Sequence, residues 1–312
     1  MKSIKELYRI GTGPSSSHTM GPRKAAEIFL ERHPEATAFK VTLYGSLAAT
    51  GKGHMTNIAI TEVLQPVAPV EIIWEPKIFL PFHPNGMKFV SVDKEGKETD
   101  QWVVFSIGGG ALAEESDGAS SVNTPDVYSM NSMTEILQWC ERTGKSYWEY
   151  VKECEDSDIW DYLQEVWKTM QNAVKRGLEQ EGVLPGPLNL RRKASTYYIR
   201  ASGYKQSLQS RGLVFAYALA VSEENASGGV IVTAPTCGSC GVMPAVLYHL
   251  AKSREFSDTR ILRALATAGL VGNIVKTNAS ISGAEVGCQG EVGVACAMAS
   301  AAANQLFGGS PA

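Results

Sequence analysis

The sequence has no excess of basic charge. Its 312 residues include 29 lysines and arginines against 32 aspartates and glutamates, a formal net charge of -3. Because binding to nucleic-acid phosphates needs a basic stripe, and none is visible, a nucleic-acid partner is not expected. The N-terminal sequence MKSIKELYRIGTGPSSSHT is charged at once and has no continuous apolar stretch, so neither a signal peptide nor a membrane anchor is predicted. We therefore expect a cytoplasmic protein without membrane partners.

Cysteine is scarce as well, with six residues in the whole chain. In a reducing compartment, disulfide pairing is not the expected use of these residues, which leaves metal binding, catalysis or burial. Cys140 and Cys154 lie in amphipathic sequence of helical character. The other four lie in glycine-rich surroundings in the last quarter of the chain: Cys237, Cys240, Cys288 and Cys296.

The length suggests two domains with ample core. Gly21-Pro22 marks the start of a first helix. β-rich runs follow at residues 39–47, 70–74, 87–93 and 101–107, the last two joined by a turn at residues 94–97. Helical patterns dominate afterwards, at residues 131–152, 159–182, 204–222, 241–253, 259–276 and 291–307. The sequence therefore predicts an α+β fold, with an α+β domain at 1–155 and a mainly helical domain at 156–312.

Four glycine-containing loops collect polar side chains. They are GTGPSSSHT (11–19), GSLAATGKGHMTN (45–57), FHPNGMKF (82–89) and FSIGGG (105–110). His18, His54 and His83 lie in three of them. Function concentrates on loops held by rigid elements, so this set predicts a site, although any one of these histidines could be structural. The first loop lacks the Gly-Lys-Ser/Thr ending of a phosphate loop, so nucleotide binding is not predicted.

The C-x-x-C pair of Cys237 and Cys240 leaves several interpretations open. Redox, zinc and iron–sulfur chemistry are each compatible with this spacing, and so is simple burial of two small side chains. A four-cysteine site with Cys288 and Cys296 is thinkable, but the Val, Ala and Met neighbours of Cys296 favour burial for that residue.

Several long motifs occur in a fixed order along the chain. They are GPSSSHTMGP, YGSLAATGKGH, HPNGM, SIGGG, LPGPLNLRRKA, TAPTCGSCGVMPAVL and KTNASISGAEVGCQGEVGVACAMA. Over essentially its whole length the sequence resembles the bacterial iron–sulfur L-serine dehydratases (L-serine deaminases) of the single-chain type. The resemblance implies an N-terminal α+β portion, called beta, and a mainly helical portion, called alpha. It also implies a lyase of amino-acid degradation that converts L-serine to pyruvate and ammonia, and a homo-oligomer such as a dimer.

The resemblance implies a [4Fe–4S] cluster held by three cysteines, with one iron open to substrate as a Lewis acid. Of the family's ligands, only the one in GAEVGCQGEVG has a counterpart here, Cys288. The other two belong to a TCDP...PC segment that does not occur before Ala312. Gly308-Gly309 also ends a helix just before Ser310-Pro311, a typical helix start, so we expect a chain that lacks its family's C-terminal segment. The alternative to an active enzyme is a cluster-free, inactive fragment, or a scaffold or subunit of the same family.

The resemblance also implies roles for individual residues. His54 would be the general base and His83 would orient or bind the substrate. Hydrogen bonds to the substrate carboxylate or ammonium would come from the remaining loop residues, Ser16, Ser17, His18, Asn85 and Ser106. Thr236 and Asn278 would lie near the cluster side, unless they only cap helices. Pyridoxal phosphate is not expected, because no lysine is paired with a glycine-rich phosphate cup.

Overall fold

The computed structural model describes residues 1–115, 125–281 and 283–312. The strands are β1 (Ile10–Thr12), β2 (Ala38–Tyr44), β3 (Val70–Glu75), β4 (Gly86–Val92), β5 (Glu98–Ile107), β6 (Ala111–Ala113) and β7 (Val230–Val232). The helices are α1 (Gly21–Arg32), α2 (Gly45–Thr50), α3 (Thr56–Leu64), α4 (Met133–Thr143), α5 (Tyr147–Cys154), α6 (Ile159–Glu179), α7 (Ala194–Ser202), α8 (Gln206–Ala226), α9 (Val242–Arg254), α10 (Asp258–Asn278) and α11 (Gly283–Leu306).

The chain divides into two packing units. One unit is Gly13–Thr124, here called the sheet unit, and the other combines Met1–Thr12 with Pro125–Ala312, here called the helical unit. Their composition confirms the predicted α+β class, with strands concentrated in the first part and helices in the second. Packing divides the chain at residues 13 and 125, whereas the sequence domains 1–155 and 156–312 stay a prediction. The loop at 108–125 is rich in Gly, Ser, Asp and Pro and is a boundary candidate from the sequence; its residues 116–124 lie outside the described residues.

The sheet unit is built on a five-stranded sheet of order β3-β2-β4-β5-β6. β2 and β3 are parallel, and the remaining neighbours are antiparallel. Along β2, buried and half-buried side chains alternate, as expected for a strand with one face on a core. Phe29 of α1 packs on that core, with its ring centroid 5.4 Å from that of Phe89. The loops that connect these elements therefore begin and end on a packed sheet and helix.

The helical unit buries one face of each long helix. In α6, Leu163, Val166, Trp167, Met170 and Val174 recur at helical spacing and are at most 1% exposed. The middle of α10 is almost wholly buried, and small residues there allow close packing of neighbouring helices. β1 and β7 add a short antiparallel pair within this unit. Among the described residues, no helix combines the length and apolar character needed to cross a membrane.

Most predicted elements are present, with instructive differences. The hairpin of β4 and β5 is confirmed, as is the helix that begins at Gly21. The single helix expected at 131–152 is two helices, because Gly144 adopts a left-handed conformation with φ of 70° and ends α4 there. The loop expected at 45–57 contains α2 and the start of α3. Helix α7 and the β1–β7 pair were not predicted, since nothing local to these short segments distinguishes them.

Candidate active site

Three of the predicted loops meet in the sheet unit and bring their histidines together. His18 lies in a short π-helix, Ser16–Met20, His54 lies between α2 and α3, and His83 precedes β4. The ring centroids of His18 and His54 are 4.8 Å apart. His83 is near enough for its charge to act on His18. Single-turn π-helices are frequent at functional sites, and this one places the first histidine.

His18 is held on both ring nitrogens by hydroxyl groups. Its Nδ1 lies 3.0 Å from Ser17 Oγ, and its Nε2 lies 3.1 Å from Ser46 Oγ. The pKa of His18 is lowered to about 4, first by burial and then by the positive charges that His54 and His83 would carry. His18 is therefore a neutral imidazole near pH 7. Ser46 was not among the predicted site residues, although its position at the start of GSLAATGKGH, directly after a strand, was a usable signal.

Two threonines tie the histidine loops to each other through the backbone. Thr19 Oγ1 donates to the carbonyl of His54 at 2.6 Å, and Thr56 Oγ1 donates to the carbonyl of His18 at 2.5 Å. Both threonine side chains are buried. Because each bond joins residues more than 30 positions apart, the pair fixes the relative position of His18 and His54.

The backbone contacts of His54 and His83 select opposite ring tautomers. His54 Nδ1 lies 3.1 Å from the carbonyl oxygen of Thr50. A carbonyl can only accept, so in a neutral His54 ring Nδ1 carries the proton and Nε2 keeps a lone pair. In contrast, the backbone N–H of Asn85 donates to His83 Nδ1 at 3.1 Å. A neutral His83 therefore carries its proton on Nε2, which makes that atom a donor.

Asn85 and Ser106 close another side of the site. Both side chains are buried, and the carboxamide Nδ2 of Asn85 donates to the carbonyl of Ser106 at 3.1 Å. Ser106 Oγ has no hydrogen-bond partner among the described residues. It packs against Gly21, where a Cβ atom would come within 2.0 Å of it. An unsatisfied buried hydroxyl costs stability, so the position of this group calls for an explanation.

Ser16 is placed beside the same loops by its backbone. A Cβ atom on Gly110 would lie 2.6 Å from the carbonyl oxygen of Ser16, so the SIGGG turn passes directly against the SSSH turn. Gly110 has a φ of 78°, which only glycine adopts readily. The side chain of Ser16 is buried. The sheet unit thus brings together all the predicted site residues that lie within it: Ser16, Ser17, His18, His54, His83, Asn85 and Ser106.

The remaining predicted residues lie in the helical unit. Thr236 is buried, with Oγ1 3.2 Å from Ser239 Oγ, whereas Asn278 is exposed and donates to the carbonyls of Asn131 and Ile274. Asn278 makes these contacts in the last turn of α10. The contacts of Asn278 are those of a helix end, which agrees with the capping alternative for this residue.

Comparisons with known proteins identify the family to which this sequence is similar. A family described as "Serine dehydratase beta chain" matches residues 3–73, and "Serine dehydratase alpha chain" matches residues 85–312. An L-serine dehydratase of Haemophilus influenzae is 37% identical over 364 residues, covering 100% of this chain and 80% of the relative. The L-serine dehydratase 1 of Escherichia coli is 39% identical, again over 100% of this chain and 80% of the relative.

The chain belongs to the serine dehydratase family. A Streptomyces coelicolor L-serine dehydratase, 37% identical, is covered to 79% of its length. The two family ranges are separated by residues 74–84, ahead of the predicted domain boundary near residue 155.

The cysteines of this serine dehydratase chain do not form the four-cysteine site considered from sequence. Cys237 and Cys240 are buried, and burial raises the pKa of both thiols, that of Cys240 to about 12. Such surroundings favour the protonated thiol over the metal-binding thiolate. Cys296 is exposed, so the expected burial of this residue is wrong; its side chain lies on the outer face of α11.

Cys288, the implied cluster ligand, is exposed and follows a break in α11. Gly287 interrupts the helix with a φ of 69°, so Cys288 begins the second helical segment. Among the described residues, no three histidine, cysteine or acidic side chains are grouped as a metal site would require. The described part of the family's motif therefore offers one thiol, Cys288, at the expected place. The described residues do not provide the three ligands that a complete iron–sulfur site needs. Ser282 of the same motif lies outside the described residues.

Glu291 was not among the predicted residues and belongs to the same region. Its carboxylate lies against two glycines: a Cβ atom on Gly238 or on Gly283 would come within 2.8 Å of its Oε2. The carboxylate also contributes to the raised pKa of Cys237. An acidic residue flanked by glycines, in CQGEVG, was the available sequence signal.

Proposed function

We propose that this protein eliminates water from L-serine and so forms pyruvate and ammonia. Relatives named L-serine dehydratase match the chain over its whole length, which supports this substrate and this lyase reaction. One observation about the chain itself carries the proposal: the backbone gives neutral His54 a lone pair on Nε2 and gives neutral His83 a proton on Nε2. One group can thus accept a proton while the other donates a hydrogen bond.

In the proposed reaction, Nε2 of His54 accepts the α-proton of serine. The bond between Cβ and the hydroxyl oxygen then breaks, and the departing hydroxide leaves as water after taking up the proton from His54, which restores the neutral base. The product, 2-aminoacrylate, tautomerises to an imine, and water hydrolyses it to pyruvate and ammonia. His18 stays neutral and adds no charge that would oppose protonation of His54.

Substrate binding is proposed for the groups around these histidines. The Nε2–H of His83 donates to the serine carboxylate, and the buried hydroxyl of Ser106 supplies a further hydrogen bond. Ser16, Ser17 and Asn85 complete the polar wall of the site. The roles of Thr236 and Asn278 remain proposals from the resemblance, as does the cytoplasmic location.

The iron–sulfur cluster also stays a proposal from the resemblance. When bound, such a cluster supplies a Lewis acid for the leaving oxygen. Cys288 is the residue that would hold it, but the described residues offer no group of three ligands, so no step above is assigned to the cluster. The same observation favours the alternative function, a cluster-free chain that binds serine without turning it over.

The test measures pyruvate formation from L-serine, under anaerobic conditions, with and without iron and sulfide. Serine binding is measured in parallel by calorimetry. We expect His54→Ala to lower kcat by about 100-fold or more, and His83→Ala to act mainly through KM. The control is His33→Ala, because His33 lies in the sheet unit but pairs with Asp100 away from the site.

The outcomes separate the two candidates. Turnover of His54→Ala within a few-fold of the parent would exclude His54 as the base. Serine binding that depends on His83 and Ser106, without pyruvate under either condition, would favour the cluster-free binding protein. Neither binding nor turnover would overturn the proposed function as a whole.

A further inference from the structure

A cavity lies in the helical unit, on elements that the proposed reaction does not use. Its volume is about 710 Å³, within the range that small-molecule sites occupy. It is lined by one face of α8, by the last turns of α9, by Tyr198 of α7 and by Phe307 after α11. We propose that this cavity binds a small organic anion, with its phosphate or carboxylate group against Lys252 and Arg254.

Charge is the first argument. Lys252 and Arg254 lie at the end of α9 and both line the cavity, whereas no described residue that lines it is acidic. Two cations without a carboxylate partner in the same cavity attract an anion. Their side chains are held in place by aromatic rings. Lys252 Nζ lies 4.5 Å from the ring centroid of Tyr248, and Arg254 lies 5.9 Å from that of Phe307.

A serine–histidine pair provides the second argument. Ser210 Oγ of α8 lies 2.6 Å from Nε2 of His249 on α9. Burial lowers the pKa of His249, and Arg254 lowers it further, so this imidazole is neutral near pH 7. In either tautomer the pair keeps one donor to spare. If His249 donates through Nε2, the hydroxyl hydrogen of Ser210 is available; if Ser210 donates, Nδ1–H of His249 is available.

The residue types that line the cavity indicate what the non-anionic part of the ligand is like. Tyr217 and Phe307 provide aromatic surface, and the amides of Gln206 and Gln209 provide polar groups on the wall. Burial raises the pKa of Tyr217 to about 12, so its hydroxyl remains a neutral donor. The occupant therefore combines an anionic group with a flat or apolar body. L-Serine, a small zwitterion, has neither the apolar body nor the net charge that this cavity suits.

The experiment uses phenyl phosphate and benzoate as probes, titrated calorimetrically into the 312-residue protein. These probes share a flat body and differ only in the anionic group, so their relative affinity distinguishes a phosphate ligand from a carboxylate ligand. We expect binding of at least one probe, and a loss of affinity of roughly tenfold or more in Lys252→Gln/Arg254→Gln, since two charge-assisted contacts are removed. Ser210→Ala is expected to weaken binding by a smaller factor.

Arg211→Gln is the matched control, because Arg211 is an exposed cation next to Ser210 on α8 that does not line the cavity. It should bind the probes as the parent does. All the substituted side chains of the double variant are exposed, and thermal melting verifies that the variant folds. The proposal is overturned if neither probe binds, if the double variant binds as well as the parent, or if Arg211→Gln loses as much affinity as the double variant.

Discussion

Asn85 and Ser106 exchange two hydrogen bonds across the candidate site. The carboxamide of Asn85 donates to the carbonyl of Ser106 at 3.1 Å, and the backbone N–H of Ser106 donates to the carbonyl of Asn85 at 3.0 Å. These bonds use the backbone of Ser106 and leave its hydroxyl buried without a partner among the described residues. The hydroxyl that we propose as a substrate contact is therefore expected to cost stability in the unliganded protein.

Ser106→Ala should stabilise the protein and impair its function. Removing a buried, unsatisfied hydroxyl is expected to raise the free energy of unfolding by about 1 kcal/mol. Serine turnover or binding should fall, because a donor to the substrate is lost. The control is Ser91→Ala on β4. The buried hydroxyl of Ser91 lies 2.9 Å from Thr99 Oγ1, so its removal should destabilise the protein. Urea unfolding and serine calorimetry measure both effects; a destabilised Ser106→Ala would contradict the interpretation.

Gly45→Ala should damage the site through the backbone. Gly45 has a φ of 48°, and a Cβ atom there would lie 2.7 Å from the carbonyl oxygen of Pro84, next to His83 and Asn85. We expect the HPN turn to shift and kcat/KM for serine to fall on the order of 10- to 100-fold. Gly96→Ala is the control, since Gly96 also has a positive φ but no described atom within 4 Å of its Cβ position.

In both glycine variants, the left-handed conformation of the new alanine should lower the free energy of unfolding by about 1 kcal/mol. Only Gly45→Ala should also lower kcat/KM for serine. Steady-state kinetics at a temperature where both are folded makes the comparison. Equal kcat/KM in the two variants would show that the contact with Pro84 does not position the site.

The stability of the protein should depend on pH through His18. Its pKa is about 4 in the folded state against 6.5 as the ordinary value, so the unfolded chain binds more protons between these values. Stability is therefore lost as the pH falls from about 6.5 to about 4, by roughly 3 kcal/mol in total. In His18→Gln, the contribution of His18 to the loss of stability at low pH should be absent. Urea unfolding across that window tests it, and a difference between variant and parent that does not change with pH would refute it.

Glu155→Ala should destabilise the helical unit. The buried carboxylate of Glu155 accepts from the hydroxyl of Ser3 at 2.6 Å, from the N–H of Ile4 at 2.8 Å and from the hydroxyl of Tyr128 at 2.7 Å. Loss of these bonds leaves three donors unsatisfied and should lower the free energy of unfolding by about 3 kcal/mol. Glu153→Ala removes a neighbouring carboxylate whose partner, Lys145, is at the surface, and should cost less than about 0.5 kcal/mol. Similar midpoints for the two variants in denaturant would contradict this prediction.

Much of the chain could be predicted from local pattern. A β-rich run indicated β2, Gly21-Pro22 indicated the start of α1, and the long motifs indicated the serine dehydratase family. Local pattern failed where the backbone conformation of a single residue decided where a helix ends. Gly144 could have continued the helix through 131–152, and only its left-handed conformation, with no atom nearby to oppose it, ended α4 there.

The sequence by itself determined which residue types were available: three histidines on glycine-containing loops and one cysteine in the family motif. Only the tertiary structure decided what those residues can do. The tautomer of His54 depends on a carbonyl four residues earlier, whereas the neutral state of His18 depends on burial by loops that are distant in the chain. Proton positions follow from hydrogen-bond partners and burial, and the burial of His18 arises from long-range packing that no local pattern contains.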